Sequence, residues 1–405
     1  MSLLPANMPR VLISSNPWKT SLGSAEVNHE IETVLHQRYP HWQLQSKPLS
    51  DGGDGFLDAV VASNLAARRM RMINPGPLSG QRLVCEYLWS AKEKTLFLEA
   101  AEFHGMRRMP YQNMRRMPYN NSMPYNKPAG MQASSYAVGK ALMALHQQHP
   151  NMRHVVLTVG GSASTDGGAG FLQALGWRFY DHQNRLIRRT MSAEQLLTVA
   201  RVEPVQLPEK FPTLTLLTDV ESRYKEAPSK FGPQKGITSV QVRALEKAFD
   251  RMASLLNAQK TARQAGSGAA GGLGFAVAVA GFREFSMQSG MDWVVKNTGL
   301  DKAIANADLI VTGEGRFDQT SLLGKGPGYL LAQAKKNKIP VLVLCGQNTL
   351  PLKTRLGQKT EILPLYPSAQ KITRAQLTPA ATRKRLRAVL KSNLETVGAM
   401  LNCQG

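Results

Sequence analysis

With 405 residues and 42% hydrophobic content, the chain is long enough to bury a sizeable core and to form two or three domains. Fifty Lys plus Arg against 28 Asp plus Glu leave a formal charge of +22, which favours polyanionic contacts at low salt and suits an enzyme of anionic substrates. Cys85, Cys345 and Cys403 are too few and too scattered for a disulfide framework or a structural zinc site, and the longest nearly apolar run, Gly271 to Phe282, is too short to span a bilayer. Met1 to Arg10 holds two prolines and no sustained hydrophobic stretch, so no secretory signal is read there and a cytoplasmic protein is expected.

In chain order, Arg10 to Ser15 reads as a strand, the loop SNPWKTSLGS with Lys19 and Ser21 follows, and Ser24 to Arg38 has helical spacing. LSDGGDGF places Asp51 and Asp54 around Gly52 and Gly53. Leu96 to Ala100 is apolar, and Gln132 to Gln147 reads as a helix opening behind Gly130. Val155 to Val159 reads as a buried strand that runs into Gly160, Gly161, Ser162, Ser164, Thr165 and Asp166. Thr213 to Thr218 precedes Asp219, FGPQKG carries Lys235, and GSGAAGGLGFA carries Gly271 and Gly272. Leu309 to Thr312 leads into Gly313, Glu314, Arg316, Asp318 and Lys325, and Val341 to Leu344 and Ile362 to Leu365 are two more apolar runs. Short apolar runs separated by helical stretches mark crossover units, so a mostly parallel α/β protein is expected. The segment Lys371 to Lys391 has apolar residues at helical spacing and cations opposite, which predicts a solvated surface helix.

One internal repeat interrupts this pattern. RRMPYQNM, RRMPYNNS and MPYNKP follow in tandem from Arg107 to Pro128, a period too short for a solenoid and rich in proline and asparagine, which predicts an extended insertion in a tolerant loop. Its arginines and tyrosines also leave a nucleic-acid contact open, although no nucleic-acid motif accompanies them.

The chemistry concentrates where strands meet glycine-rich turns. Backbone N–H groups of such turns cradle oxyanions, carboxylates hold magnesium, and lysine or arginine neutralises phosphate charge. Asp308 to Gly326, DLIVTGEGRFDQTSLLGKG, carries all three parts. Glu314, Asp318, Asp54 and Asp219 are the metal candidates. Arg316, Lys325 and Lys235 would balance phosphate charge, and Asp51, Asp54 or Asp166 would take a substrate proton or bind magnesium. Other motifs fail on context: Gly266, Gly268 and Gly271 satisfy GxGxxG but follow a polar stretch instead of a strand, and Gln319 stands where a P-loop needs its first glycine. His29 and Glu30 start a zinc-protease pattern that Thr33 breaks.

The DGGDG, VGGSASTDGGAG, FGPQKG, GSGAAGGLGFA and VTGEGR segments, in this order, resemble the bacterial type I glycerate kinases over roughly residues 9 to 350. The resemblance implies ATP- and Mg2+-dependent phosphorylation of glycerate, most often to the 2-phospho product, with homo-oligomers possible. It implies a Rossmann-like domain from both chain ends (1–65 and 290–405) and a second α/β domain (66–289) inserted between them, with the active site in the cleft. Lys19 and Ser21 align with the family's Asp-Ser-Phe-Lys-Glu-Ser loop, whose leading aspartate is Asn16 here, and Asp54 replaces a glutamate. Lys19, Asp51, Asp166, Arg316 and Lys325 are the expected catalytic residues. Ser21, Gly52, Gly53, Gly160, Gly161, Ser162, Lys235, Gly271, Gly272 and Gly313 are expected to line substrate or nucleotide. Tyr136 to Lys140 loses a hydroxyl and reverses a charge against the family pattern, and Glu221 to Tyr224 loses an Asn-Pro and gains bulk. These departures admit an alternative: a catalytically weak paralogue serving as a polyanion-binding or regulatory protein.

Overall fold

The computed structural model describes residues 8–18, 21–109, 129–324, 326–351, 354, 356 and 359–402. Their strands are β1 (Arg10–Ser15), β2 (Gln43–Ser46), β3 (Arg68–Pro75), β4 (Arg82–Ser90), β5 (Thr95–Glu99), β6 (His154–Thr158), β7 (Arg178–Asp181), β8 (Val199–Glu203), β9 (Thr213–Thr218), β10 (Phe285–Ser289), β11 (Leu309–Phe317), β12 (Val341–Asn348) and β13 (Thr360–Tyr366). The fold is mixed α/β with parallel sheets, in two compact units: Met1–Asp51, Asp58–Leu65 and Met291–Gly405 form one, Gly52–Leu57 and Ala66–Gly290 the other. The Gly52–Leu57 stretch, expected within 1–65, groups with the inserted unit.

The first unit carries a five-stranded, fully parallel sheet in the order β13-β12-β11-β1-β2. Its central strands read as continuous apolar runs because both faces are covered. Val11, Ile13, Leu309, Val311, Leu342 and Leu344 face one core. Leu12, Ile310, Val341 and Val343 face the other. On the first face the helix Ser24–Arg38 buries Val27, Ile31, Val34 and Leu35, one stripe of a 3.6-residue period. Beside it lies the helix Pro379–Ser392, which Pro379 opens at its first turn and Thr378 caps by accepting from Ala381 N at 3.4 Å. It buries Thr382, Leu386 and Leu390 and turns Arg383 and Arg387 toward Glu26 and Glu30 of the neighbouring helix, so the expected basic helix is in part neutralised locally. Asn28, wholly buried, accepts from Ser15 N at 3.0 Å and donates to Ile13 O at 3.0 Å, which splints the end of β1.

In the second unit β10, β9, β6 and β5 run parallel, and β4 and β3 extend the sheet antiparallel. The β3–β4 hairpin escapes the sequence reading although RRMRMINP alternates, Met70 and Met72 packing on the core while Arg69, Arg71 and Ile73 are exposed. The expected helix over 132–147 is two helices, Ala129–Gln132 and Tyr136–Gln148, parted where Ser135 turns inward. Of the repeat, residues 110–128 lie outside the described residues, and Arg107, Arg108 and Met109 are its described part. No helix among the described residues is long and apolar enough to cross a membrane.

Candidate active site

Each unit collects chemistry at the carboxyl ends of its parallel strands, where α/β proteins bind ligands. In the second unit, β6 ends at Thr158 and its loop meets the DGGDG turn. A Cβ on Gly160 would lie 2.7 Å from Gly53 Cα, and one on Gly161 would lie 3.6 Å from Asp54 Oδ1. Glycine at 160 is therefore required by backbone against backbone, and the two loops pack together, with Gly161 exposed, Asp54 and Gly160 half-buried, and Gly52, Gly53 and Ser162 buried. Arg107, at the root of the repeat, forms an ion pair with Asp54. Asp54 thus faces a guanidinium within its own unit, which counts against its expected role as a metal ligand. Asp219 follows the end of β9.

Past Gly161 the loop dives. Gly161 is exposed, Ser162 retains 7% exposure, and Ser164, Thr165 and Asp166 have none. Asp166 Oδ2 accepts from Ser135 N at 2.8 Å, Ser135 Oγ at 2.7 Å and Gly170 N at 3.2 Å, while Oδ1 accepts from Gly168 N at 3.2 Å. Burial raises its pKa even against these four donors. The carboxylate faces inward and pins the turn, contrary to the expectation that it meets substrate. Lys235, 3% exposed, donates to Ser162 Oγ at 3.1 Å and to Ser164 O. Ser164 Oγ in turn meets His104 Nδ1 at 3.2 Å. Burial brings Lys235 down to about 7 and His104 down to about 3.

Gly271 and Gly272 have a packing reason. Both adopt left-handed backbone, a Cβ on Gly271 would run into Ser164 O, and one on Gly272 would lie 2.6 Å from Gly167 Cα. They seat the helix Ala269–Val279 against the loop from inside, the close packing that the sequence left open beside contact with ATP. Tyr224, one of the departures, belongs to the same core. It is 1% exposed, its ring centroid lies 4.0 Å from that of Phe275, and its hydroxyl donates to Gly167 O at 3.0 Å. Lys140 sits exposed on the helix Tyr136–Gln148.

In the first unit the ends of β1 and β11 are adjacent, with Ser15 beside Gly313 and Asn16 N donating to Gly313 O at 2.9 Å. A Cβ on Gly326 would run into Asn16 Nδ2, so Gly326 lies against the same point. Gly313 lies so near Leu344 O of β12 that strand packing alone demands a glycine. Glu314 and Arg316 project from β11. Asp318 caps the following 3-10 turn, its Oδ1 accepting from Thr320 N at 2.8 Å, and its Oδ2 lies 3.6 Å from Arg316 Nε. Ser21 Oγ donates to Thr382 Oγ1 at 2.6 Å. Lys19 and Lys325 lie outside the described residues. Asp51 is half-buried immediately before the DGGDG glycines.

Sequence reasoning missed Glu99 and Arg107. Glu99 ends β5 at 6% exposure, and burial, then the charges of Asp54 and Glu102, push its carboxyl up to about 8. The signal was an acid closing an apolar strand, in TLFLE. Folded Glu99 keeps its proton to about pH 8, while an unfolded chain releases it near 4.5, so the fold holds the extra proton and loses stability as pH rises between those values. Glu99→Gln is therefore expected to unfold later than the parent at pH 9, by up to about 5 kcal/mol, and equally at pH 4. Thermal unfolding at both pH values checks this, and parallel profiles for the two proteins would contradict it.

Glycine-rich loops at parallel strand ends, backed in the second unit by a buried lysine and carboxylate, are where α/β proteins bind ligands. The chain belongs to the glycerate kinase family, whose profile matches residues 11–397. It is 28% identical over 346 residues to the glycerate 2-kinase of Escherichia coli, covering 84% of this chain and 86% of that one. It is 30% identical to a Bacillus cereus glycerate kinase over 83% of this chain and 85% of the relative, and 31% identical to an uncharacterised Synechocystis protein over 94% and 97%. The crystal structure of a chain assigned as glycerate kinase 2 in Salmonella typhimurium LT2 superposes with a TM-score of 0.73 at 28% identity, covering 97% of this chain and 99% of that one.

Proposed function

We propose that this chain transfers the terminal phosphoryl group of ATP to D-glycerate, giving 2-phosphoglycerate, with Mg2+ as the accompanying ion. Family membership across residues 11–397 carries the reading, and the loop chemistry of both units agrees with it. Backbone amides of the DGGDG and GGSAS turns, with Ser162, are suited to hold anionic oxygens. Arg316 and the lysines of the GKG and WKT turns supply positive charge for the phosphates. Asp51, half-buried at the start of the glycine turn, is the residue assigned to take the glycerate hydroxyl proton; Asp166 holds four donors and Asp54 is paired with Arg107.

Among the described residues no group of three or more His, Cys, Asp or Glu lies together in metal-binding fashion. Glu314 and Asp318, hard oxygen donors at one strand end, would hold a Mg2+ that keeps most of its shell as water and phosphate oxygens, with Asp318 Oδ2 exchanging Arg316 Nε, 3.6 Å away, for the ion. Bound there, the ion would neutralise charge on the transferring phosphate.

The test is ADP release from purified protein with ATP, Mg2+ and D-glycerate, with phosphorus NMR of the product. Asp318→Asn serves as a control that keeps a cap acceptor for Thr320, beside Asp318→Ala, which removes it. Glycerate-dependent turnover that falls at least about a hundredfold in both controls supports the charge assignment; a fall in the alanine variant alone makes Asp318 a cap. The competing reading, a weak paralogue, rested on departures at Tyr136–Lys140 and Glu221–Tyr224. Tyr224 is core and Lys140 a surface residue, and the uncharacterised Synechocystis relative is compatible with this reading; a folded sample without glycerate-dependent turnover would favour it.

A further inference from the structure

Lys235 is a buried cation without a carboxylate in hydrogen-bond contact among the described residues. Its ammonium donates to Ser162 Oγ at 3.1 Å and to Ser164 O. The charged groups facing it are Asp166 in the turn and His104 on the helix Ala100–His104; His104 is neutral at ordinary pH, and Asp166 is committed to its own donors. A hydroxyl has one proton, and an ammonium has no lone pair to accept it. Ser162 must therefore accept from Lys235 and send its own proton elsewhere. Among the described residues no group accepts that proton. Ala163 N is tied to His104 O at 2.8 Å and Met106 N to Gly161 O at 2.9 Å, so the strand segment is stitched down on its inner side, and Ser162 is the last residue toward the depth that keeps surface exposure.

We infer that Lys235 is a positioning residue whose charge is delivered to the surface through Ser162, making the Ser162 hydroxyl a fixed donor to an anionic oxygen, either a carboxylate or a phosphoryl group. The inference rests on the proposed kinase reading for its substrates. Burying the cation one residue below the surface keeps it dry and unable to swing, while the hydroxyl carries the direction of its field. A lysine on the surface would offer the same charge in any of many rotamers.

The design also sets a pH signature. Once Lys235 loses its proton, the neutral amine accepts, Ser162 can turn its proton inward, and the outward donor disappears. Affinity for the anion should accordingly be greatest below pH 7 and decline as pH rises through about 7.

The experiment uses the full chain with Ser162→Ala, Ser162→Thr, Lys235→Met and the Ser162→Ala, Lys235→Met double variant. Equilibrium titrations with D-glycerate and with ATP from pH 6 to pH 9 are run beside KM and kcat for each substrate. Ser162→Ala is expected to weaken one of the two ligands about tenfold with a smaller change in kcat, and to flatten the pH dependence of that affinity. Ser162→Thr should restore both, and the double variant should bind no worse than the weaker single one. An effect on D-glycerate assigns a carboxylate, an effect on ATP a phosphoryl group. If Lys235→Met does not fold, the Ser162→Ala pH profile decides alone. Unchanged affinity for both ligands in Ser162→Ala, or multiplied effects in the double variant, overturns the inference. Absence of glycerate turnover in the parent with ATP affinity still dependent on Ser162 would sink the substrate reading and leave the Ser162 relay standing.

Discussion

Replacing Asp166 by alanine is expected to destabilise the second unit by about 3–5 kcal/mol, because Ser135 N, Ser135 Oγ, Gly168 N and Gly170 N all lose their acceptor inside the protein. Asp166→Asn should cost only about 1–2 kcal/mol, since its amide oxygen can keep the three donors now on Oδ2 and forfeits the long bond from Gly168 N. Activity per folded molecule separates the two roles open to this residue. A turn-pinning carboxylate leaves the asparagine variant within about tenfold of the parent, whereas a general base would cost it about a hundredfold or more. Urea unfolding together with initial rates on the folded fraction reads both quantities. A stable asparagine variant without activity would return Asp166 to the reacting centre.

Gly271→Ala is the second large effect. At φ +67° the alanine is strained before any contact is counted, and its Cβ meets Ser164 O and comes to 2.8 Å from Thr165 Cα, neither of which can move without dragging the loop. A loss of about 3–5 kcal/mol is expected. Gly281→Ala supplies the contrast. Its φ of +84° is equally left-handed, but nothing lies within 4 Å of the added carbon, so it should cost about 1 kcal/mol. Equal losses at the two positions, measured by thermal unfolding, would mean that backbone strain alone explains the glycine and that the close approach to Ser164 is immaterial.

These two residues also mark where sequence reading ends. The strands at β1, β6, β9, β11 and β12 were legible because parallel strands covered on both faces are unbroken apolar runs, and the polar turns after them stand out. The direction in which a turn's carboxylate points was not legible. A Thr-Asp-Gly-Gly turn reads alike whether Asp166 faces substrate or core, and the residue that decides it, Ser135, lies 31 positions upstream. Glycines carry the same ambiguity: Gly271 answers to Ser164 across more than a hundred residues, and no local pattern separates that from a phosphate cradle. Glu99 was passed over because attention to glycine-rich turns excludes an acid at the end of a plain apolar strand. Arg107 was read as part of a surface repeat, although its guanidinium reaches the shortened carboxylate at Asp54.

Phosphorus NMR of a reaction containing the protein, ATP, Mg2+ and D-glycerate tests the central claim most directly. The account predicts ADP formed in step with a new phosphomonoester resonance that splits as a phosphate on the secondary hydroxyl, and no such product when D-glycerate is omitted. A folded sample that releases no ADP in response to D-glycerate, or that releases ADP without forming a glycerate ester, would contradict it.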